Sequence, residues 1–89
     1  MKIVIYSKNN CVYCNKAKQL VKNLRLDYTE KKMEEFESVE EMIKDIGKKV
    51  RTMPQIKIDD NLIGGYNQLV EYFVEKKKVN FKGETISEW

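Results

Sequence analysis

The sequence predicts an α/β fold of order β-α-β-α-β-β-α, with a four-stranded mixed sheet flanked by helices. Three observations carry that prediction. The run Ile3-Val4-Ile5-Tyr6 is apolar without alternation, as expected of a strand covered on both faces. Ala17, Leu20, Val21 and Leu24 recur at helical spacing, and a second helical stripe follows further along. Near the end, two short β-favouring runs flank an Asp59-Asp60-Asn61 turn. Helices after the first two strands require crossovers and hence parallel pairing, whereas a tight turn requires an antiparallel hairpin.

Each element has its own signal. Ser7-Lys8-Asn9-Asn10 is polar and turn-forming, and Asn10 is an N-cap candidate that places Cys11 in the first turn of a helix. Leu26 to Met33 reads as a weaker strand, marked by Tyr28 and Thr29. Ser38-Val39-Glu40-Glu41 has the capping-box pattern, opening a helix whose apolar stripe is Val39, Met42, Ile43 and Ile46. Gly47 supplies its stop. A basic loop, Lys48-Lys49-Val50-Arg51, leads to Thr52-Met53-Pro54. Gln55 to Ile58 and Leu62-Ile63 make the hairpin, which Gly64-Gly65 ends. Asn67 is positioned to cap a last helix carrying Leu69, Val70 and Phe73.

The 89 residues suffice for one domain, assigned to residues 1–78, with residues 79–89 as a C-terminal tail. No apolar run approaches the ~20 residues that span a bilayer, and the N-terminal apolar stretch is too short for a secretory signal. A cytoplasmic protein without membrane association is expected. Lys and Arg total 17 against 14 Asp and Glu, a net charge of +3, too small and too dispersed to indicate nucleic acid. Lys76-Lys77-Lys78 closes the predicted last helix, where cations suit the helix dipole.

Two cysteines and no histidine restrict the chemistry further. A secreted scaffold of this length normally carries about four or more cysteines. A Cys–His catalytic pair is impossible, and one Cys-x-x-Cys pair supplies half of a structural zinc site's ligands. No metal site is expected. Cys11-Val12-Tyr13-Cys14 lies after a strand and opens a helix. Residues three apart share a helix face, so the two sulfurs can close a small disulfide ring. Unpaired backbone amides and the positive dipole end stabilise a thiolate there, holding such thiols at pKa values of roughly 3.5–7.5. Lys8 can add positive charge. Cysteines on a helix can also be plain core residues; the strand before and helix after favour redox chemistry. Cys11, nearer the helix start, is assigned as nucleophile, and Cys14, one turn inside, as the resolving thiol. Pro54 reads as an ordinary residue at the start of a strand, since cis accounts for only ~5–6% of X–Pro bonds.

Together these segments resemble the glutaredoxin family over residues 1 to about 76. Tyr6-Ser7-Lys8 is similar to the family's Tyr-Thr-Lys segment, and Cys11-Val12-Tyr13-Cys14 to its Cys-Pro-Tyr-Cys site. Thr52-Met53-Pro54-Gln55 resembles its Thr-Val-Pro segment, and Ile63-Gly64-Gly65-Tyr66-Asn67 its Gly-Gly-x-Asp segment. Val12 and the Met-Pro pair look most like glutaredoxins of large tailed bacteriophages, which would put the protein in a host cytoplasm.

The resemblance implies the glutaredoxin version of the thioredoxin fold and a dithiol oxidoreductase. Such an enzyme reduces protein disulfides and glutathione mixed disulfides with glutathione as reductant. It implies a monomer, with ribonucleotide reductase among the candidate substrates. Lys8 and Tyr13 would flank glutathione joined to Cys11, and Thr52 and Met53 would offer backbone groups to its cysteinyl part. Pro54 would be cis, and Gly65, Tyr66 and Asn67 would meet the γ-glutamyl end. Arg51 would reach the glycyl carboxylate. The sequence departs from the family pattern with Val12 for proline, Met53 for valine and Asn67 for aspartate. The competing readings are a glutaredoxin that binds an iron–sulfur cluster and a thioredoxin-like donor served by a thioredoxin reductase. The tyrosine and second cysteine resemble the redox branch.

Overall fold

A computed structural model describes residues 1–75. The boundary expected at residue 78, the tail and the Lys76–Lys78 run lie outside the described residues. The elements are β1 (Ile3–Ser7), α1 (Val12–Asn23), β2 (Thr29–Lys32), a short 3₁₀ turn (Met33–Glu35), α2 (Val39–Ile46), β3 (Gln55–Ile58), β4 (Asn61–Gly64) and α3 (Tyr66–Glu75). The sheet order is β2-β1-β3-β4. β1 pairs in parallel with β2 and antiparallel with β3, and β3 pairs antiparallel with β4.

Alternation along the strands sorts the core into two faces. Ile3 and Ile5 stand opposite Ile58 and Ile56, and pack with Ala17, Leu20 and Val21 of α1 and Leu69 and Phe73 of α3. On the other face Val4 and Tyr6 pack with Met42 and Ile46 of α2. Every β1 residue is therefore buried, as a strand without polar alternation should be.

Five local expectations are corrected. Asn10 does not cap α1; its φ of +55° completes the turn before the helix, so the extended Cys11 becomes the cap. The second strand is shorter than 26–33. Leu26 instead closes α1, its N–H bonding the Val21 carbonyl while Arg25 (φ +58°) bonds that of Lys22. This is a Schellman ending with arginine where glycine is usual. Val39, the first residue of α2, is half exposed, because Met42 and Ile46 alone reach the sheet. The hairpin turn is Asp59-Asp60, both at positive φ as a two-residue type I′ loop requires, and Asn61 already belongs to β4. Finally, the Gly65 carbonyl accepts the Leu69 N–H at 3.0 Å, making Gly65 and not Asn67 the residue that opens α3.

The Ser38 cap is as expected, its hydroxyl accepting the Glu41 N–H at 3.2 Å, and Gly47 ends α2 at φ +91°.

Asp45, in the last turn of α2, joins that helix to three strands' side chains. Tyr6 donates its hydroxyl to Asp45 Oδ2 at 2.7 Å, and Lys31 Nζ lies 2.9 Å from the same oxygen. Lys57 Nζ donates to the Asp45 carbonyl at 2.8 Å. Hydrogen bonds from Lys31 and Tyr6 hold the Asp45 carboxyl below its ordinary range. Burial, with the Asp45 hydrogen bond, pushes the Tyr6 phenol up. Because the folded-state pKa of Asp45 is depressed, its stabilisation is full above the unfolded pKa and is lost as pH falls through the folded one. Asp45→Asn should lower the urea midpoint at pH 7 and lose less stability than wild type on going from about pH 5 to pH 2.5. Parallel acid losses in the two proteins would contradict this assignment.

Candidate active site

Three chain segments meet at one end of the sheet. β1 delivers the loop 8–10 and Cys11; antiparallel pairing puts the start of β3, preceded by Thr52-Met53-Pro54, beside it; β4 ends there at Gly64. α1 and α3 both begin at this end, so two helix N-termini present unpaired N–H groups to it.

Cys11 and Cys14 form a disulfide with Cα atoms 5.2 Å apart. Cys11 Sγ accepts the Cys14 N–H at 3.1 Å, so the sulfur itself caps α1. In the reduced protein the same donor favours a thiolate at Cys11. Cys11 is 8% exposed and Cys14 1%, consistent with an attacking and a protected sulfur. Cys11 Sγ lies 3.8 Å from the Met53 carbonyl, and the Met53–Pro54 peptide bond is cis.

Tyr13, Thr52, Met53, Pro54, Gly65, Tyr66 and Asn67 line one cleft of about 280 Å³ together with Gln68. Tyr13 and Tyr66 form its aromatic rim, ring centroids 5.9 Å apart, and Lys16 Nζ sits 5.1 Å from the Tyr13 ring. Lys8 is exposed, outside the lining, and its ammonium makes no hydrogen bond or ion pair among the described residues.

The residues that hold the site were not singled out from sequence. Glu34 accepts the Asn9 N–H at 2.7 Å and steadies the loop before Cys11. Buried Ser7 donates to Glu30 at 2.6 Å, and Lys18 of α1 pairs with the same carboxylate oxygen at 2.9 Å, tying the helix of both cysteines to the sheet. Burial pushes the Glu30 carboxyl up, but bonds from Ser7 and Lys18, with the charges of Lys18 and Lys32, outweigh it and leave it below its ordinary range. Gln68 Oε1 accepts the Gly65 N–H at 3.0 Å. A glutamine three residues after a helix cap is half of a capping box, the one signal that would have found it.

A Cys-x-x-Cys pair at a helix N-terminus, facing a Met–Pro segment on this mixed sheet, defines a thiol–disulfide oxidoreductase of thioredoxin fold. The glutaredoxin family model matches residues 3–63. Glutaredoxin 1 of Escherichia coli is 32% identical over 82 residues, 84% of this chain and 95% of that relative. The structure of reduced E. coli glutaredoxin has a TM-score of 0.73 at 31% identity, covering 86% of this chain and 98% of that one. A buckwheat glutaredoxin–glutathione complex has a TM-score of 0.70 at 25% identity, covering 84% and 70%. The chain belongs to the glutaredoxin family, whose members are thiol–disulfide oxidoreductases.

Gly64 has φ +117°, beyond the left-handed well of about +50 to +70° that other residues visit. A Cβ there would come within 2.9 Å of Gln68 Cγ. Gly64→Ala should therefore cost about 1–3 kcal/mol, read as a fall of several degrees in Tm. An unchanged Tm would show that this corner of the cleft is free to relax.

Proposed function

We propose that glutathione is the reductant of this protein and that it binds in the cleft beside Cys11, with glutathione mixed disulfides and protein disulfides as substrates. The observation that supports the reading is that seven of the eight residues expected from the family resemblance, all but Lys8, line one cleft next to the disulfide. Met53 lies two residues ahead of Gln55, the first paired residue of β3, and would offer its backbone to the cysteinyl part of the ligand. The first N–H groups of α3 suit the γ-glutamyl carboxylate. Among the described residues no acidic side chain lines the cleft, so the ligand's own carboxylates meet no repulsion from them.

The cycle follows from the two burials. The Cys11 thiolate attacks a disulfide sulfur, forming a mixed disulfide and expelling one thiolate. With a protein substrate, Cys14 then attacks Cys11, closing the disulfide the structure contains and releasing the second thiol. One glutathione reopens that disulfide at Cys11, and a second takes away glutathione disulfide. With a glutathione mixed disulfide, glutathione alone resolves the intermediate and Cys14 is dispensable. Ribonucleotide reductase, a cytoplasmic protein disulfide, is a substrate to test.

The test is glutathione-dependent reduction of a small glutathionylated thiol. Cys11→Ser should reduce activity to background, and Cys14→Ser should keep a substantial part of it. A wild type without activity would overturn the glutathione reading and favour a thioredoxin-reductase-dependent donor.

A further inference from the structure

Next to the cleft lies a second groove of about 410 Å³, between the 48–52 loop and β4. The two share Thr52, Gly65 and Gln68, so a chain leaving the sulfurs can run from one into the other. Among the described residues the charged ones of this groove are Lys48, Lys49 and Arg51, and no carboxylate lines it. All three are exposed, and none of their side chains makes a hydrogen bond or ion pair among the described residues. Lys2, Lys18, Lys31 and Lys44, by contrast, each have a carboxylate partner.

The groove walls are built. Gln55, 6% exposed, donates its side-chain N–H to the Thr52 carbonyl at 2.9 Å and anchors the loop's far end. Gln68 holds Gly65 on the opposite wall. α2, about 12 Å long at 1.5 Å per residue, carries Glu40 and Glu41 in its first turn and the basic loop beyond its last. Cations after a helix C-terminus gain from its dipole. The dipole accounts for their charge, but not for their lining a groove continuous with the catalytic cleft.

We propose that this groove takes the acidic segment flanking a disulfide in a protein substrate, so that the enzyme selects disulfides with aspartate or glutamate nearby. The proposal rests on the reading that Cys11 attacks disulfides and glutathione regenerates it. A uniformly positive groove steers an anionic chain and disfavours a cationic one.

The test uses three peptides, each with the same internal disulfide, followed by a run of aspartate, asparagine or lysine. Reduction is followed with glutathione regeneration, alongside the small glutathionylated thiol. At low ionic strength kcat/KM should be about tenfold higher for the aspartate than for the asparagine peptide, and lowest for the lysine peptide. At about 0.5 M salt, where screening acts within roughly 4 Å, the difference should largely vanish. The double variant Lys48→Gln/Lys49→Gln should reduce the aspartate peptide no faster than the asparagine one, with the small substrate unaffected. Equal rates on all peptides in wild type, or a preference that survives in the variant, would overturn the proposal. So would a variant equally slowed on every substrate, since that would make the groove a glutathione site. Failure of wild type on the small substrate would instead remove the underlying glutathione reading, and this inference with it.

Discussion

β1 pairs with β2 on one edge and β3 on the other while α1, α3 and α2 cover its faces, leaving no side chain from Ile3 to Ser7 exposed. A strand so enclosed cannot slip by one residue, because the shift would exchange Ile3 and Ile5 with Val4 and Tyr6 between differently shaped cores. Its register therefore fixes where the chain emerges, and it emerges directly at the cysteines. Antiparallel pairing brings Gln55 opposite Tyr6. The Met53–Pro54 segment consequently arrives beside Cys11 through backbone pairing, with no dedicated contact required.

At that end the cap of α1 and the first cysteine of the Cys-x-x-Cys pair are one group. An N-cap normally offers an oxygen to the first-turn N–H groups. Here the sulfur of Cys11 accepts the Cys14 N–H, so whatever closes the helix also stabilises negative charge on the sulfur. A chain with no histidine has no imidazole to do this, and the helix terminus replaces it. The arrangement also separates the two cysteines by depth: the cap stands at the helix mouth, while a residue one turn inside faces the core.

Element order, a first strand covered on both faces, the Ser38 cap and the Gly47 stop were legible because each follows from periodicity or from a residue type with one strong preference. What was misread lies where two residues compete for one role. Asn10 and Cys11 are both able to cap α1, and only the turn geometry at Asn10 decides between them. Arg25 takes a left-handed position that usually signals itself by glycine. Gly65 outcompetes Asn67 because Gln68 reaches back to its N–H, a contact invisible without the turn between β4 and α3. The cleft residues were nameable through a family resemblance. Their supports, Glu30, Lys18 and Glu34, are polar residues in ordinary patterns, distinguishable only once the strands are paired. The cis state of Pro54 likewise followed from resemblance and not from any local preference.

A thiolate is favoured by positive surroundings, yet the described part of the chain carries many carboxylates, and the fold engages several of them. Glu30 is occupied by Ser7 and Lys18, Asp45 by Tyr6 and Lys31, and Glu34 by the Asn9 N–H. What stays unpaired around the cleft is the opposite sign: the starts of α1 and α3, and Lys48, Lys49 and Arg51 in the adjoining groove. Asn67, where the family pattern has aspartate, fits the same rule, since a carboxylate there would be the one negative group among the described residues of the cleft. The exposed Val12 and Tyr13 add an apolar rim with no charge of its own. Under the proposed function, a substrate meeting this surface would be sorted first by charge and then by its fit against that rim, before its disulfide reaches Cys11.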